Sequence, residues 1–229
     1  MTTATTSEGL RPGNFIDLLS PAERNALHSL GVARRFPRGA LLMLEHEPGE
    51  RVMIVLSGRA KVSRVGDDGH EVILSIRDPG DLLGELSFVD GEPRVASVSA
   101  LEPLNALVIP SMAFRAHLEH TPRIAVVLLE VVTRRFREAT VRRLQSAGSD
   151  TLGRLAARVV ELAERYGEPT EDGISIAMPL SQEELAGWVG ASRAGVAHAL
   201  QSMRELGWVQ TERRRMIVRD LDAVRARAA

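Results

Sequence analysis

The sequence predicts an α+β chain in which an N-terminal β-roll, a long helix and a C-terminal winged helix-turn-helix follow one another. Three observations predict it. Between Val32 and Ile109, short apolar or alternating runs are punctuated by turn residues about every ten positions. From Thr121 to Gly148 the apolar residues instead follow a helical period. From Leu180 to Trp208, two capped amphipathic stretches meet at a glycine. The implied division is 1–13, 14–120, 121–148 and 149–229, with no internal repeat.

Residues 1–13, rich in Thr, Gly and Ser, read as a disordered lead-in. Phe15, Leu18, Leu19, Leu27 and Leu30, with Ser20-Pro21 as a helix start, then suggest short helices. The strand candidates are Ala40 to Leu44, Val52 to Leu56, Ala60 to Val65, Glu71 to Ile76, Val95 to Ala100 and Leu104 to Ile109. Pro48-Gly49, Ser57-Gly58, Asp67-Asp68-Gly69, Pro79-Gly80 and Asp90-Gly91 separate them, the texture of an all-β sandwich or roll.

Pro110-Ser111 opens a helical region, and Thr121-Pro122 starts a longer helix reaching about Gly148. In it Ala125, Leu129, Val132, Phe136 and Ala139 follow alternating steps of four and three. Such a seam can lie against a copy of itself and make a dimer through residues 121–148. A helix packed on its own domain would show the same pattern. Ser149-Asp150 restarts the chain into a helix carrying Leu152, Leu155, Val159 and Leu162.

Ser181 followed three residues later by Glu184 is a capping box, and Leu185, Trp188 and Val189 form the stripe of the helix it starts. Gly190 ends that helix. Ser192 caps a second, whose Val196, Leu200 and Met203 face inward and which Gly207 closes. This is the form of a helix-turn-helix, which offers the N-terminal residues of its second helix to base edges in the major groove. A helical hairpin inside a globular core has the same periodicity. The residues after the second helix favour the DNA reader: Gly207-Trp208-Val209-Gln210, the basic run Arg213, Arg214 and Arg215, and Met216-Ile217-Val218 read as a hairpin with a positive tip, a wing suited to phosphate.

Composition excludes several chemistries. With no cysteine there are no disulfides, thiolate-held clusters or cysteine nucleophile. Six scattered histidines make no ligand pair, so no metal is expected. No Ser-His-Asp spacing or P-loop argues for an enzyme. No run of about 18 apolar residues and no signal-like N-terminus is present, so a soluble cytoplasmic protein away from membranes is expected. The net charge is -1, and from Asp150 onward 11 arginines face 12 acidic residues, so any nucleic-acid contact must rest on local clusters. Only Lys61 among the 29 basic residues is a lysine.

The order of these parts resembles the cyclic-AMP receptor and fumarate-nitrate regulator (Crp/Fnr) family of bacterial transcription factors, from about Asn14 to Asp220. The motifs carrying the resemblance are Gly84-Glu85-Leu86-Ser87 with Arg94 ten residues after Gly84, the junction Asp150-Thr151-Leu152-Gly153-Arg154-Leu155-Ala156, and the helix-turn-helix. The resemblance implies a cyclic-nucleotide-binding-like roll with an effector cup at Gly84, Glu85, Leu86, Arg94, Val95 and Ala96, taking cyclic AMP or cyclic GMP. There a carboxylate at Glu85 would accept from a ribose 2′-hydroxyl and Arg94 would pair with the phosphate. A surface loop with an internal Glu85-Arg94 pair would read the same way. Val95 departs from the family's Ser or Thr, and losing one charge-assisted hydroxyl bond costs about 1.5–3 kcal/mol, roughly ten- to hundredfold in affinity. The two adenine-touching positions of the long helix correspond to Ala139, which has no donor, and Thr140, which would point toward the partner's cup.

For the reader, the resemblance implies that Ser192 meets phosphate, that Arg193 pairs with guanine O6 and N7, and that Ser181 and Gln182 contact backbone. Ala194 stands where a cytosine-reading glutamate is common, Gly195 replaces a hydroxyl residue, and His198 replaces a later arginine. His198 is either a base reader or simply solvated. The implied function is a homodimeric regulator on a near-palindromic duplex DNA operator, with RNA polymerase as a further partner. A regulator of the same kind that needs no nucleotide, or a ligand-binding module gripping a protein, are the competing readings.

Overall fold

The computed structural model describes residues 14–66, 69–177, 180–212 and 215–228. α1 (Pro21–Ser29) begins at a full capping box, the Ser20 amide donating to Glu23 at 2.7 Å and the Glu23 amide to the Ser20 hydroxyl at 3.3 Å. Next come β1 (Val32–Phe36), β2 (Leu41–Met43), β3 (Arg51–Ser57), β4 (Ala60–Val65), β5 (Glu71–Arg77), β6 (Leu82–Leu83), α2 (Glu85–Asp90), β7 (Ser97–Ala100) and β8 (Leu104–Pro110). They form two antiparallel four-stranded sheets, ordered β1-β8-β3-β6 and β2-β7-β4-β5. β5 is an edge strand of the second sheet.

Two strands of the roll escaped the periodicity. β1, Val-Ala-Arg-Arg-Phe, pairs only with β8 and is mostly exposed, so no alternation marks it. β6 is a two-residue bridge to Met53 and Ile54. The strand expected from Val95 starts at Ser97.

α3 (Ser111–His120) places Phe114 at 0% exposure, edge-on to Phe88 and Phe15 with ring centres 4.9 and 6.5 Å away. α4 (Pro122–Ala147) has two apolar faces. Ile124, Val127, Leu128 and Val131 are buried in the same cluster as Phe114. On the other side Val126 and Leu129 are each 65% exposed, Phe136 72% and Leu144 71%. The helix therefore packs on its own domain through one face and leaves a second apolar face exposed. The expected seam is shifted: Ala125, Leu129, Phe136 and Ala139 are exposed, but Val132 packs on the roll.

The C-terminal region consists of α5 (Thr151–Tyr166), β9 (Gly167–Thr170), β10 (Gly173–Ala177), α6 (Gln182–Val189), α7 (Arg193–Glu205), β11 (Val209–Glu212), β12 (Arg215–Val218) and α8 (Leu221–Ala228). The wing strands extend into one sheet ordered β11-β12-β10-β9. The β9–β10 hairpin and α8 were not anticipated: Gly-Glu-Pro-Thr has no apolar alternation, and its pairing is set by β10. Asp150 caps α5, accepting from the Gly153 amide at 2.8 Å and pairing with Arg227 at 2.5 Å. Arg154 bonds the carbonyls of Ser149 and Val189 at 2.7 and 3.1 Å, tying the start of α5 to the end of α6. These bonds give the junction motif its structural reason.

Candidate nucleic-acid interface and effector cup

α6 opens at Ser181, whose amide donates to Glu184 at 2.8 Å and whose hydroxyl accepts from the Glu184 amide at 3.1 Å. Gly190, at φ 68°, turns the chain toward α7. There the Ser192 hydroxyl oxygen accepts from the Gly195 amide at 3.1 Å, which leaves its own O–H free to donate to a phosphate. Val196, Ala199, Leu200 and Met203 are buried, so the opposite face of α7 presents Arg193, Ala194, Ala197, His198 and Gln201 to solvent. Ser181 and Gln182 are also exposed, and Gly195 is half-buried beside the Ser192 cap.

Gln201 was missed in the sequence. It lies three residues after His198 and four after Ala197, on the same face, and its amide donates to Glu205 at 2.8 Å. In the wing, Arg215 opens β12, is exposed, and donates to the Ser175 hydroxyl at 2.7 Å. Arg213 and Arg214 lie outside the described residues.

In the roll, Glu85 and Arg94 are buried, at 8% and 4% exposure, and they do not pair with each other. The surface loop with an internal pair is thus not what the chain forms. Arg94 donates to the Gly84 carbonyl at 2.9 Å and to the Arg51 carbonyl, using two of its five N–H groups and leaving three for an anion. Burial first, then the neighbouring Arg51 charge, lowers its pKa. Gly84 sits at φ 81°, and a Cβ there would collide with the Arg94 guanidinium, so only glycine fits.

Glu85 binds Arg135 of α4 at 2.5 Å, and Arg135 also reaches Asp81 and the Leu82 carbonyl, each at 2.9 Å. Burial alone would lower the Arg135 pKa, but the two carboxylates outweigh it and raise it. Arg135 thus links the long helix to the cup, and no periodicity signalled it, because an arginine on a long helix is ordinarily solvated. Leu86 and Val95 are exposed, and Ala96 is buried. Thr140 is exposed on α4 and donates to the Phe136 carbonyl at 2.9 Å, which leaves its oxygen as an acceptor.

The roll and the C-terminal region are joined by a continuous contact. Ile73, Ile76 and Leu101 of the roll share one buried cluster with Leu155, Leu185 and Trp188. Glu184, beyond capping α6, accepts from Lys61 at 3.1 Å and Arg38 at 3.3 Å. Burial works to raise its pKa, yet the Ser181 amide and Lys61 prevail and hold it below the usual 4.5. Asp78 accepts from the Tyr166 hydroxyl at 2.8 Å and pairs with Arg165, and the Arg59 guanidinium lies 4.7 Å over the Tyr166 ring.

Comparison with known proteins agrees with this layout. Residues 33–121 match the cyclic nucleotide-binding domain family, and residues 153–227 match the Crp-like helix-turn-helix domain. The chain is 35% identical over 193 residues to the CRP-like cAMP-activated global transcriptional regulator of Mycobacterium tuberculosis, covering 84% of this chain and 86% of that one. It is 27% identical to the cyclic AMP receptor protein of Thermus thermophilus, covering 84% and 86%. Among solved structures, a CooA variant from Carboxydothermus hydrogenoformans superposes with a TM-score of 0.78 over 95% of this chain and 97% of that one; at 20% identity the likeness is one of fold.

Proposed function

Because the chain belongs to the Crp/Fnr family of DNA-binding transcriptional regulators, we propose that it acts as a homodimer on a near-palindromic operator, under the control of cyclic AMP or cyclic GMP held at Glu85 and Arg94. The observation that carries this reading is the free face of α7, led by Arg193 just beyond the Ser192 cap. An arginine there can pair bidentately with guanine, and Ser181, Gln182 and Ser192 supply phosphate contacts around it. Ala194 and Gly195 carry no base-reading group. Discrimination in the half-site therefore falls to Arg193, His198 and Gln201, with the wing arginines Arg213 and Arg214 adding phosphate contacts. Two half-sites about one helical turn apart suit the dimer. RNA polymerase is the partner through which such a regulator acts, and the cytoplasm is where it would meet both. No described helix is long and apolar enough to cross a membrane, and nothing in the reading calls for catalysis.

Arg193→Ala is expected to lose about 1–3 kcal/mol of discrimination at one base pair per half-site while leaving non-specific affinity and its salt dependence nearly intact. Selection from random duplexes checks this; an unchanged consensus would remove Arg193 from the reading surface.

The effector half of the reading is supported by a buried guanidinium with three unused donors next to an acid fixed by Arg135. Cyclic AMP and cyclic GMP should be titrated while DNA binding is followed in the same sample. Binding of one of them that is weakened about tenfold or more by Arg94→Ala is the expected result. If neither binds and DNA is still read, the regulator works without a cyclic nucleotide.

A further inference from the structure

A cleft of about 1100 Å³ lies between the end of β5, the second half of α4 and α5, on the far side of Arg135 from Glu85. Its wall carries arginines and carboxylates in nearly equal number, and most of the carboxylates are committed to arginines. Arg135 holds Asp81 and Glu85, Arg142 lies 3.9 Å from Glu138, Glu161 serves both Arg158 and Arg165, Asp78 takes Arg165, and Glu102 takes Arg59. Arg77, the last residue of β5, has no side-chain hydrogen bond or ion pair among the described residues, although it lines the same cleft. The charges closest to it include further arginines. Burial, and then Arg135, lowers the Arg77 pKa to about 10; Glu85 and Asp81 act to raise it, and Arg142 adds to the lowering. Burial, against the pull of Glu161 and with a further contribution from Arg142, lowers the pKa of Arg158, which is 8% exposed and stacked 5.4 Å from the Trp188 ring.

A guanidinium partly withdrawn from water with no carboxylate bound to it, as at Arg77, is unfavourable unless an anion joins it. We propose that this cleft is a second effector site, taking a phosphorylated small molecule whose phosphate groups lie among Arg77, Arg142 and Arg158. The guanidinium fork suits phosphate oxygens, and the volume is that of a nucleotide-sized ligand rather than of a single inorganic ion. Arg77 belongs to the sensor sheet, Arg142 to the long helix and Arg158 to the reader's first helix, so one bound anion would fasten all three. The site does not depend on the reading of Glu85 and Arg94 and would stand if no cyclic nucleotide bound there.

The test is calorimetric titration of the full chain with pyrophosphate and, separately, with ATP, both without divalent cations. The wild type is compared with Arg77→Gln, Arg142→Gln and Arg94→Gln. Binding is expected to weaken about tenfold or more in Arg77→Gln and in Arg142→Gln but to persist in Arg94→Gln. Tighter binding of ATP than of pyrophosphate would identify a nucleotide, and equal binding would identify the phosphates alone as the recognised group. Absence of heat from both probes, or wild-type affinity in both Arg77→Gln and Arg142→Gln, would overturn the proposal. Loss of cyclic AMP binding in Arg94→Gln alone reports on the cup and leaves this site standing.

Discussion

Phe136→Glu combined with Leu129→Glu is expected to convert the protein to a monomer and to weaken operator binding by about a hundredfold or more. Both side chains stand out from α4, at 72% and 65% exposure, in a row with Val126 and Leu144. The face behind them is already buried on the roll through Ile124, Val127, Leu128 and Val131. In the proposed homodimer a second copy of the helix covers this row, because an isologous contact meets each residue with its own equivalent. Two added carboxylates per chain would bring four negative charges into one seam. The monomer itself should be little affected, since exposed substitutions change stability by about 0.5 kcal/mol or less. Operator affinity falls because the second reader is no longer held at a high effective concentration over its half-site. Light scattering, a thermal melt and a mobility-shift titration on the same preparation check the three parts. A double variant that remains dimeric would show that the seam lies elsewhere.

The sequence carried the parts whose signals are local. Ser20, Asp150, Ser181 and Ser192 each cap the helix their side-chain chemistry announced, and the core positions Leu185, Trp188, Val196, Leu200 and Met203 are buried as their spacing required. What it hid depends on partners distant in the chain. β1 and β9 are strands because β8 and β10 pair with them, not because Val-Ala-Arg-Arg-Phe or Gly-Glu-Pro-Thr alternate. Arg135 serves the cup from 50 residues beyond Glu85, and only folding puts the two within reach. The single lysine shows the same limit: composition marked Lys61 as unusual, but its role, joining Glu71 to the reader's Glu184 at 2.6 and 3.1 Å, exists only in three dimensions. The apolar seam was read in a strict alternation of four and three, and Val132 broke it because the roll competes for the same helix.

Gly187→Ala should separate the reader from the sensor without damaging either. Gly187 lies inside α6, where alanine is the better helix former by about 1 kcal/mol. Its cost arises elsewhere: a Cβ at this position would collide with the carbonyl oxygen of Glu71, a backbone atom that cannot rotate away. β5 is a sheet edge, and α6 covers it at this point, the usual way in which an open edge is protected. Forcing the helix back strains a packed contact, which typically costs about 1–3 kcal/mol. It also loosens Ile73 and Ile76 from Leu185 and Trp188, and stretches the bonds from Lys61 and Arg38 to Glu184. If effector occupancy is transmitted through this contact, the ratio of DNA affinities with and without effector should shrink toward one. Allosteric couplings of this kind are commonly about 5- to 150-fold, so the loss is measurable. Faster amide exchange in β5 would accompany it. The contact is not the route of coupling if β5 opens in the variant while the effector still changes DNA affinity as in the wild type.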